Sequence, residues 1–457
     1  MTDFAVIILA AGKGTRMKSD LHKVLHPIAG KPMLMHLLDG LGSLEPQRMV
    51  VVAGDRREQL DAALEGRDVI TALQEPQLGT AHAALMAKGA LDGFSGHILV
   101  CFGDVPMVRA ETVQRLIDAL QDEAKVAVLG FRPAHALAYG RIIAHDDGTV
   151  TKMVEFKDAT EREKKTRLCN AGLIIAHSDD MWPLLESVGN DNAAGEYYLP
   201  DVATNAIARG DRVVVVETDE DEVAGINSRA ELAAVEARWQ ATRRQQAMAE
   251  GASLRAPDTV FFSHDTVLGR DVTVDPHVVF GPGVTIADNV HIKAYSHIEG
   301  ATIHSGAAAG PFARLRPGAV MEEGSFVGNF VEMKKATLGP GAKASHLTYL
   351  GDADVGAHAN IGAGTITCNY DGYFKYKTTI GERAFIGSNS SLIAPVNIGP
   401  DAIVAAGSAV SRDVAAGDLR MVRAEQLVKP GWADRFHDTM KRKKDAAKKP
   451  QRDKDPG

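Results

Sequence analysis

The 457-residue sequence predicts an α/β domain followed, after one connecting helix, by a solenoid of stacked short repeats. Three observations carry that fold class. Residues 1–228 alternate strand-length apolar runs with helix-like stretches, a capping signal at Ser228 opens an amphipathic helix, and from Thr266 to Val410 apolar residues recur at every sixth position. A chain of this length also exceeds what one hydrophobic core serves, so more than one domain is expected.

The N-terminal strands are read at residues 4–10 (FAVIILA), 49–53, 97–102, 126–129, 173–176 and 212–217. Continuous apolar runs of this length suit parallel strands buried on both faces. Helix-like stretches lie between them at 32–41, 59–64, 80–90, 111–120 and 198–208. Such alternation gives an open sheet with its ligand crevice at the carboxyl ends of the strands. Ser228-Arg229-Ala230-Glu231 then reads as a capping box, and Leu232, Val235 and Trp239 give the helix one apolar stripe before Gly251 ends it. That stripe is expected to pack on a neighbouring domain. The boundaries follow as 1–228, a linker helix 229–251, the repeat domain 252–437 and a tail 438–457.

In the repeat domain Leu268, Val274, Phe280, Ile286, Ile292 and Ile298 stand six apart, with Thr266, Val272, Val278, Val284, Val290 and Ser296 two before each. A second block, Ile380, Ile386, Leu392, Ile398, Val404 and Val410, keeps the period. A hexad is too small to bury its own apolar side, so coils must stack and share one core. The rhythm fails at 367–377 (TCNYDGYFKYK), which is too polar and aromatic for a coil and is expected to leave the solenoid as a loop.

Composition narrows the function classes. The net charge of −8 divides unevenly: residues 441–457 carry eight Lys/Arg against three Asp, or +5, which leaves −13 for the rest. An acidic bulk argues against nucleic acid as the main partner, and the basic tail has too little to bury and is expected to be disordered. No apolar run reaches the roughly 18 residues of a membrane span, and the first ten residues lack the pattern of a signal peptide. No membrane association and a cytoplasmic location are expected. Cys101, Cys169 and Cys368 are odd in number and have neither zinc nor disulfide spacing, which fits free thiols in a reducing compartment.

Directly after the first strand comes Ala10-Ala11-Gly12-Lys13-Gly14-Thr15-Arg16-Met17. Gly12 and Gly14 can take positive φ and let backbone N–H groups converge on an anion, while Arg16 and Lys23 supply charge suited to a triphosphate. The loop is neither the usual P-loop nor a dinucleotide fingerprint. By itself it reads equally well as a tight turn. Asp104, at the end of a strand, is placed where Mg²⁺ and phosphates would meet, or is simply a turn cap before Pro106.

Leu9-x-x-Gly12-x-Gly14-x-Arg16 with Lys23 and Lys31-Pro32, the stretch Gln74 to His82, and Gly103-Asp104-Val105-Pro106 together resemble the sugar-nucleotide pyrophosphorylase family. The resemblance implies that Leu9, Ala10, Ala11, Gly12, Lys23, Gln74, Gly79, Thr80 and Gly103 bind UTP. It further implies that Gly140, Glu155 and Asn170 contact the sugar, and that Asp104 and Asn227 hold Mg²⁺. Arg16 and Lys23 would stabilise charge on the departing pyrophosphate. Phe102 departs from the family pattern, where Tyr is expected.

The solenoid is unusually polar around its interruption. Arg316 and Lys334 could hold a phosphate, the first as a fork and the second as a point charge. His346 has the side chain suited to taking a proton near neutral pH. Residues 310–372, with Ala313-Arg314-Leu315-Arg316-Pro317-Gly318, the run Gly328 to Lys335, His346-Leu347-Thr348-Tyr349 and the run Gly362 to Gly372, resemble the bifunctional bacterial family that makes UDP-N-acetylglucosamine, a cell-wall precursor. The similarity covers about residues 4–430 and includes the domain order.

This second resemblance implies a Rossmann-like nucleotidyltransferase domain, a connecting helix and a left-handed parallel β-helix assembled as a homotrimer. The co-substrates would be acetyl-CoA and UTP, with glucosamine 1-phosphate and N-acetylglucosamine 1-phosphate as sugar substrates. His346 would be the general base, with Glu332 as orienting partner. Arg316, Lys334, Tyr349 and Asn360 would bind glucosamine 1-phosphate, with Asn369 at the same site. Ala363, Asn369, Tyr370, Ser388, Ala406 and Arg423 would bind acetyl-CoA. The competing expectations are a pyrophosphorylase whose β-helix is only regulatory, and a non-catalytic trimerisation scaffold.

Overall fold

The computed structural model describes residues 3–121, 123–136 and 139–447. It divides into two compact units, Met1–Ala319 and Val320–Gly457, so the division falls within the hexapeptide region.

The first unit is built on a sheet with strand order Val213–Thr218, Val126–Phe131, Cys169–His177, His97–Phe102, Phe4–Leu9, Arg48–Ala53 and Ile70–Leu73. Phe4–Leu9 runs parallel to both neighbours, with Ile7 opposite Val50 and Val100. Its residues alternate between two cores: Val6 and Ile8 pack with the helices Met33–Gly42 and Ala110–Ala119, and Ala5 and Ile7 with Thr80–Met86 and Ser178–Glu186. Alternation of burial on both faces is why the run FAVIILA needs no polar position. After Phe4–Leu9 the chain builds outward through Arg48–Ala53 and Ile70–Leu73, then returns to place His97–Phe102 on the other side. That reversal makes the carboxyl ends of Phe4–Leu9 and His97–Phe102 a topological switch point.

Three features differ from the reading of the sequence. Cys169–His177 lies antiparallel to both neighbours, because an apolar run specifies burial and not direction. The edge strand Ile70–Leu73, the hairpin Arg141–Ala144/Val150–Val154 and the helix Ser178–Glu186 carry no long apolar run and were not expected. The helix expected from residue 198 begins at Asp201, with Pro200 at its N-cap, so Tyr198 and Leu199 stay outside it.

The connecting helix Arg229–Ala249 follows the capping box: Ser228 Oγ accepts from Glu231 N at 3.3 Å, and Glu231 Oε2 accepts from Asn227 N at 2.7 Å. Val235 is buried, and Leu232 and Trp239 pack against the sheet domain. The helix also serves the first coil, since Gln240 exchanges hydrogen bonds with the backbone of Phe262 at 2.7 and 2.9 Å and Arg244 donates to Val260 O at 3.2 Å. These polar residues sit opposite backbone groups that no earlier coil can pair.

Burial lowers the pKa of His22, His26 and His36 below the ordinary imidazole value. Their folded state therefore binds fewer protons than the unfolded chain as pH falls below about 6.5, so stability contributed by the neutral rings is present above that pH and is lost in acid. A thermal melt is expected to show a lower midpoint at pH 5.5 than at pH 7.5. An unchanged or higher midpoint would contradict this.

In the first unit the hexads are short strands in three parallel ladders, with Val274 beside Ile292, Ile286 beside Leu268 and Phe280 beside Ile298. Partners are 18 residues apart, so three hexads complete one coil. The hexad positions are buried apart from Leu268, which is half-buried. In the second unit Ile380, Ile386, Leu392, Ile398, Val404 and Val410 are all buried. Gly387 is required there, since a Cβ would run into the backbone of Ala406 on the next coil.

Ile361 pairs with Ile386 and Thr367 with Leu392, both 25 residues apart instead of 18, so the interruption adds seven residues to its coil. The excursion starts later than expected. Thr367 and Cys368 remain in the strand Ile366–Cys368, and the Thr367 hydroxyl accepts from Gly351 N at 2.8 Å inside the coil. From Asn369 the chain leaves as a small hairpin closed by Tyr376 N on Asn369 O at 2.9 Å. Asp371 pins it by accepting from Tyr373 N, Phe374 N and the Tyr376 hydroxyl at 2.8, 2.7 and 3.0 Å.

The tail also needs correction. Residues 438–447, expected to be disordered, form the later turns of the helix Trp432–Ala447; 448–457 lie outside the described residues. Asp434 in its first turn and Lys444 in its last complement the helix dipole, and Asp438 stands four residues before Arg442. No helix among the described residues is long and apolar enough to cross a membrane.

Candidate active sites

Two clefts meet at the switch point of the sheet. The first, about 280 Å³, is lined by Leu9, Ala10, Ala11, Gly12, Lys23, Gln74, Gly79 and Thr80 among others. The second, about 380 Å³, takes in Gly140, Glu155, Asn170 and Asn227. Thr80, Phe102, Asp104 and Glu196 line both, so Asp104 stands where the two halves join.

The first cleft is shaped by backbone. Ala10 N donates to Val52 O and Gly103 N to Leu9 O, both at 2.9 Å, which carries the parallel ladder up to the floor of the loop. Gly14 is left-handed at φ 59°, as expected, but Gly12 is not; a Cβ on Gly12 would meet open space. Buried Gln74 donates to Gly79 O at 2.9 Å. Gly79 has φ 126°, and a Cβ there would stand 2.5 Å from Tyr197 N and O, so only glycine lets the loop close on that segment. Gln77 donates to Ala11 O at 2.5 Å and ties the base-side loop to the glycine loop.

In the second cleft Asn170 N donates to Gly140 O at 3.0 Å, and Asn170 Oδ1 accepts from Gly172 N at 2.9 Å. Burial, helped by the nearby Asp201 and Asp158, raises the pKa of the Glu155 carboxyl. The Phe102 ring packs where a Cβ on Gly172 would sit.

At the junction the Lys23 ammonium bonds Asp104 Oδ2 and lies 2.8 Å from Asn227 Oδ1. The carboxylate and amide oxygens therefore converge on one point. Oxygen donors of this kind fit a hard divalent cation that takes its remaining ligands from water and phosphate. Arg16 is not brought to the site: it is exposed on the turn Thr15–Met17 and lines neither cleft. That turn is fixed by left-handed Gly14 and Lys18 and by Arg229, which donates to Met17 O at 3.3 Å.

In the second unit His346 closes the strand Lys343–His346, opposite Asn329. Its Nδ1 is 2.6 Å from Asn329 Oδ1, so the Asn329 side chain holds that ring nitrogen; Glu332 lies in register with Tyr349. Lys334 is paired with Gly351, over which the Tyr349 ring lies. Asn369, nearly buried, donates to Asp352 Oδ2 at 2.5 Å, and Asn360 sits in register between Lys343 and Phe385.

Ala363, Ser388 and the segment around Ala406 form one column along successive coils: Ala363 O accepts from Asn389 N and Ser388 O from Gly407 N, each at 2.8 Å. The Arg423 side chain continues it beside Gly407. Tyr370 is exposed at the hairpin, its hydroxyl on Gly372 O at 2.5 Å. Arg316 belongs to the first unit, directly after the strand Arg314–Leu315.

Gln77 and Asn329 are the two neighbours whose parts the sequence did not disclose. Both are amides within recognisable motifs, and only three-dimensional pairing shows which backbone or ring each one holds.

A MobA-like NTP transferase domain matches residues 6–159, a bacterial transferase hexapeptide (six repeats) 265–300, and the hexapeptide repeat of succinyl-transferase 377–412. The bifunctional protein GlmU of Sphingopyxis alaskensis is 64% identical over 97% of this chain and 99% of its own. Its counterpart in Novosphingobium aromaticivorans is 68% identical over 96% and 98%, and that of Rhizorhabdus wittichii 62% over 98% and 100%. Fold and matches define a two-part transferase, an α/β nucleotidyltransferase domain followed by a hexapeptide-repeat acyltransferase domain of left-handed parallel β-helix type. The chain belongs to the family of the bifunctional protein GlmU.

Proposed function

We propose that the chain acetylates glucosamine 1-phosphate with acetyl-CoA and then joins the N-acetylglucosamine 1-phosphate to UTP, releasing pyrophosphate and UDP-N-acetylglucosamine. The observation that carries this reading is the pair of clefts that share Asp104 and meet at convergent oxygen donors.

In the uridylyl step the sugar-phosphate oxygen attacks the α-phosphorus and pyrophosphate leaves. Backbone groups of residues 9–12 and the Gln74–Thr80 loop orient the nucleotide, while Gly140, Glu155 and Asn170 orient the sugar. Asp104 and Asn227 would hold Mg²⁺, which would supply charge neutralisation at the phosphates. Lys23, whose ammonium lies between Asp104 and Asn227, supplies a fixed positive charge beside the phosphates. Arg16, exposed on the turn Thr15–Met17, neutralises charge on the departing pyrophosphate. No covalent intermediate is needed, because alignment and charge neutralisation lower the barrier.

In the acetyl step Asn329 accepts from Nδ1–H of His346 and leaves Nε2 to take a proton from the sugar ammonium. The free amine then attacks the thioester carbonyl; the C–N bond forms, the C–S bond breaks, and coenzyme A leaves as the thiol, taking up the proton that the nitrogen loses as the amide forms. Lys334, Tyr349 and Asn360 hold the sugar phosphate. The column Ala363, Ser388, Ala406 and Arg423, with Asn369 and Tyr370, holds acetyl-CoA along the coils.

The working assembly is a homotrimer, and Phe385, Ile403 and Leu419 support this: they stack in register on the outer face, 48%, 46% and 64% exposed. An apolar stripe of that kind belongs against another surface. The native mass is expected at about three times 48.7 kDa, falling on the double change Phe385→Lys, Ile403→Lys. A monomer in both cases would overturn it. Three free cysteines, two of them buried, fit the reducing cytoplasm.

The test uses the intact chain in two assays. Thiol release is expected to require glucosamine 1-phosphate and acetyl-CoA but no UTP. Pyrophosphate release is expected to require UTP, Mg²⁺ and the acetylated sugar. Pyrophosphate release without any thiol release would favour a β-helix that is only regulatory.

A further inference from the structure

The two proposed cation ligands come from chain segments more than a hundred residues apart, and neither segment is part of the sheet at the point where it meets the other. Asp104 lies past the end of His97–Phe102, and Asn227 lies past the 3-10 turn Glu220–Glu222. One backbone bond joins them, Ile226 N to Asp104 O at 3.0 Å. The next link is Glu222, a carboxylate only 4% exposed. It accepts from the Thr112 hydroxyl at 2.8 Å and from Arg109 N at 3.4 Å, and lies 3.6 Å from Arg109 Nε.

Arg109 is the N-cap of the helix Ala110–Ala119 and makes no side-chain cap of its own. Glu222 thus caps from a distance a helix whose free N–H groups favour negative charge. An enclosed carboxylate with these partners is costly to leave unmatched and resists displacement. From Glu222 the chain passes through Val223 and Gly225, which line the sugar cleft, to Asn227.

We infer that Glu222 is a positioning residue for uridylyl transfer: by locking the Glu220–Asn227 segment to the start of the Ala110–Ala119 helix, it sets the spacing of the Asn227 amide and the Asp104 carboxylate. The inference rests on the proposed roles of those two residues. Outer groups that orient ligands typically change metal affinity by about 10–100-fold when removed.

The test measures Mn²⁺ binding to the full chain with UTP present, by electron paramagnetic resonance, together with both activities. Glu222→Gln keeps the shape and removes the charge; Thr112→Val removes the donor; Thr112→Ser keeps it. Glu222→Gln and Thr112→Val are expected to weaken Mn²⁺ about tenfold or more and to raise the Mg²⁺ requirement of pyrophosphate release. Thr112→Ser should bind as the unaltered protein does, and acetylation should be unchanged in all three.

Unchanged Mn²⁺ binding in Glu222→Gln and Thr112→Val, while Asp104→Asn loses it, would overturn the positioning role alone. Unchanged binding in Asp104→Asn would instead overturn the cation site on which it rests. Equal loss of acetylation in Glu222→Gln would show a general effect on folding and would also overturn the inference.

Discussion

His346→Ala is expected to lower acetyl transfer by about 10²–10⁴-fold, the usual contribution of a positioned general base, and to leave pyrophosphate release from UTP and N-acetylglucosamine 1-phosphate unchanged. The ring lies at the exposed end of a short strand, so its removal opens no cavity in the coil core formed by Ala344, Ile361 and Ile386. What it removes is an imidazole whose Nδ1 is held by the Asn329 side-chain oxygen at 2.6 Å. Asn329→Ala should therefore reduce acetylation in the same direction but by less, since the imidazole remains and loses only the contact that orients it. Thiol release measured with acetyl-CoA and glucosamine 1-phosphate checks both. Loss of both activities in His346→Ala would mean that the residue supports the fold and not the proton transfer.

Asp104→Asn is expected to do the reverse, with uridylyl transfer falling about 10²-fold or more because several kcal/mol of charge stabilisation at the phosphates depends on the bound cation. The geometry makes the change specific. Asp104 shares the Lys23 ammonium with Asn227, so the neutral variant leaves that ammonium with two amide partners and no balancing carboxylate. Raising Mg²⁺ should recover part of the loss, as expected of weakened metal binding. A variant with full pyrophosphate release at ordinary Mg²⁺ would contradict the role.

Much of the architecture was legible because the physical signals are local. A strand buried on both faces, such as Phe4–Leu9, has to be continuously apolar, and a hexad that cannot close its own core has to repeat. The capping box at Ser228 likewise marked the start of the connecting helix to the residue. Strand direction was not legible, since Cys169–His177 has the same apolar character antiparallel that its neighbours have in parallel.

The sites divided along similar lines. Residues proposed to act through their own chemistry, Lys23, Asp104 and His346, could be singled out by type and motif. Those that act through a contact could not. Gln77 is one amide among several until its bond to Ala11 O is seen, and Glu222 is one of several acidic residues around 217–222 until it proves to be enclosed. Arg16 is the converse: its charge suits a triphosphate, and its place on the exposed turn Thr15–Met17, outside both cleft linings, was not legible in the motif. In the tail, the charge run concealed a helix whose Trp432, Phe436 and Met440 recur at four-residue spacing.

Two chemically separate sites on one chain, working in the order acetylation then uridylyl transfer, form the central claim. The most direct measurement mixes the His346→Ala and Asp104→Asn proteins with glucosamine 1-phosphate, acetyl-CoA, UTP and Mg²⁺ and follows UDP-N-acetylglucosamine. Neither protein alone should form it at an appreciable rate, and the mixture should, because Asp104→Asn releases the acetylated sugar that His346→Ala consumes. A mixture that stays silent although each partner retains its own half-reaction, or either protein making the product alone at the unaltered rate, would contradict the claim.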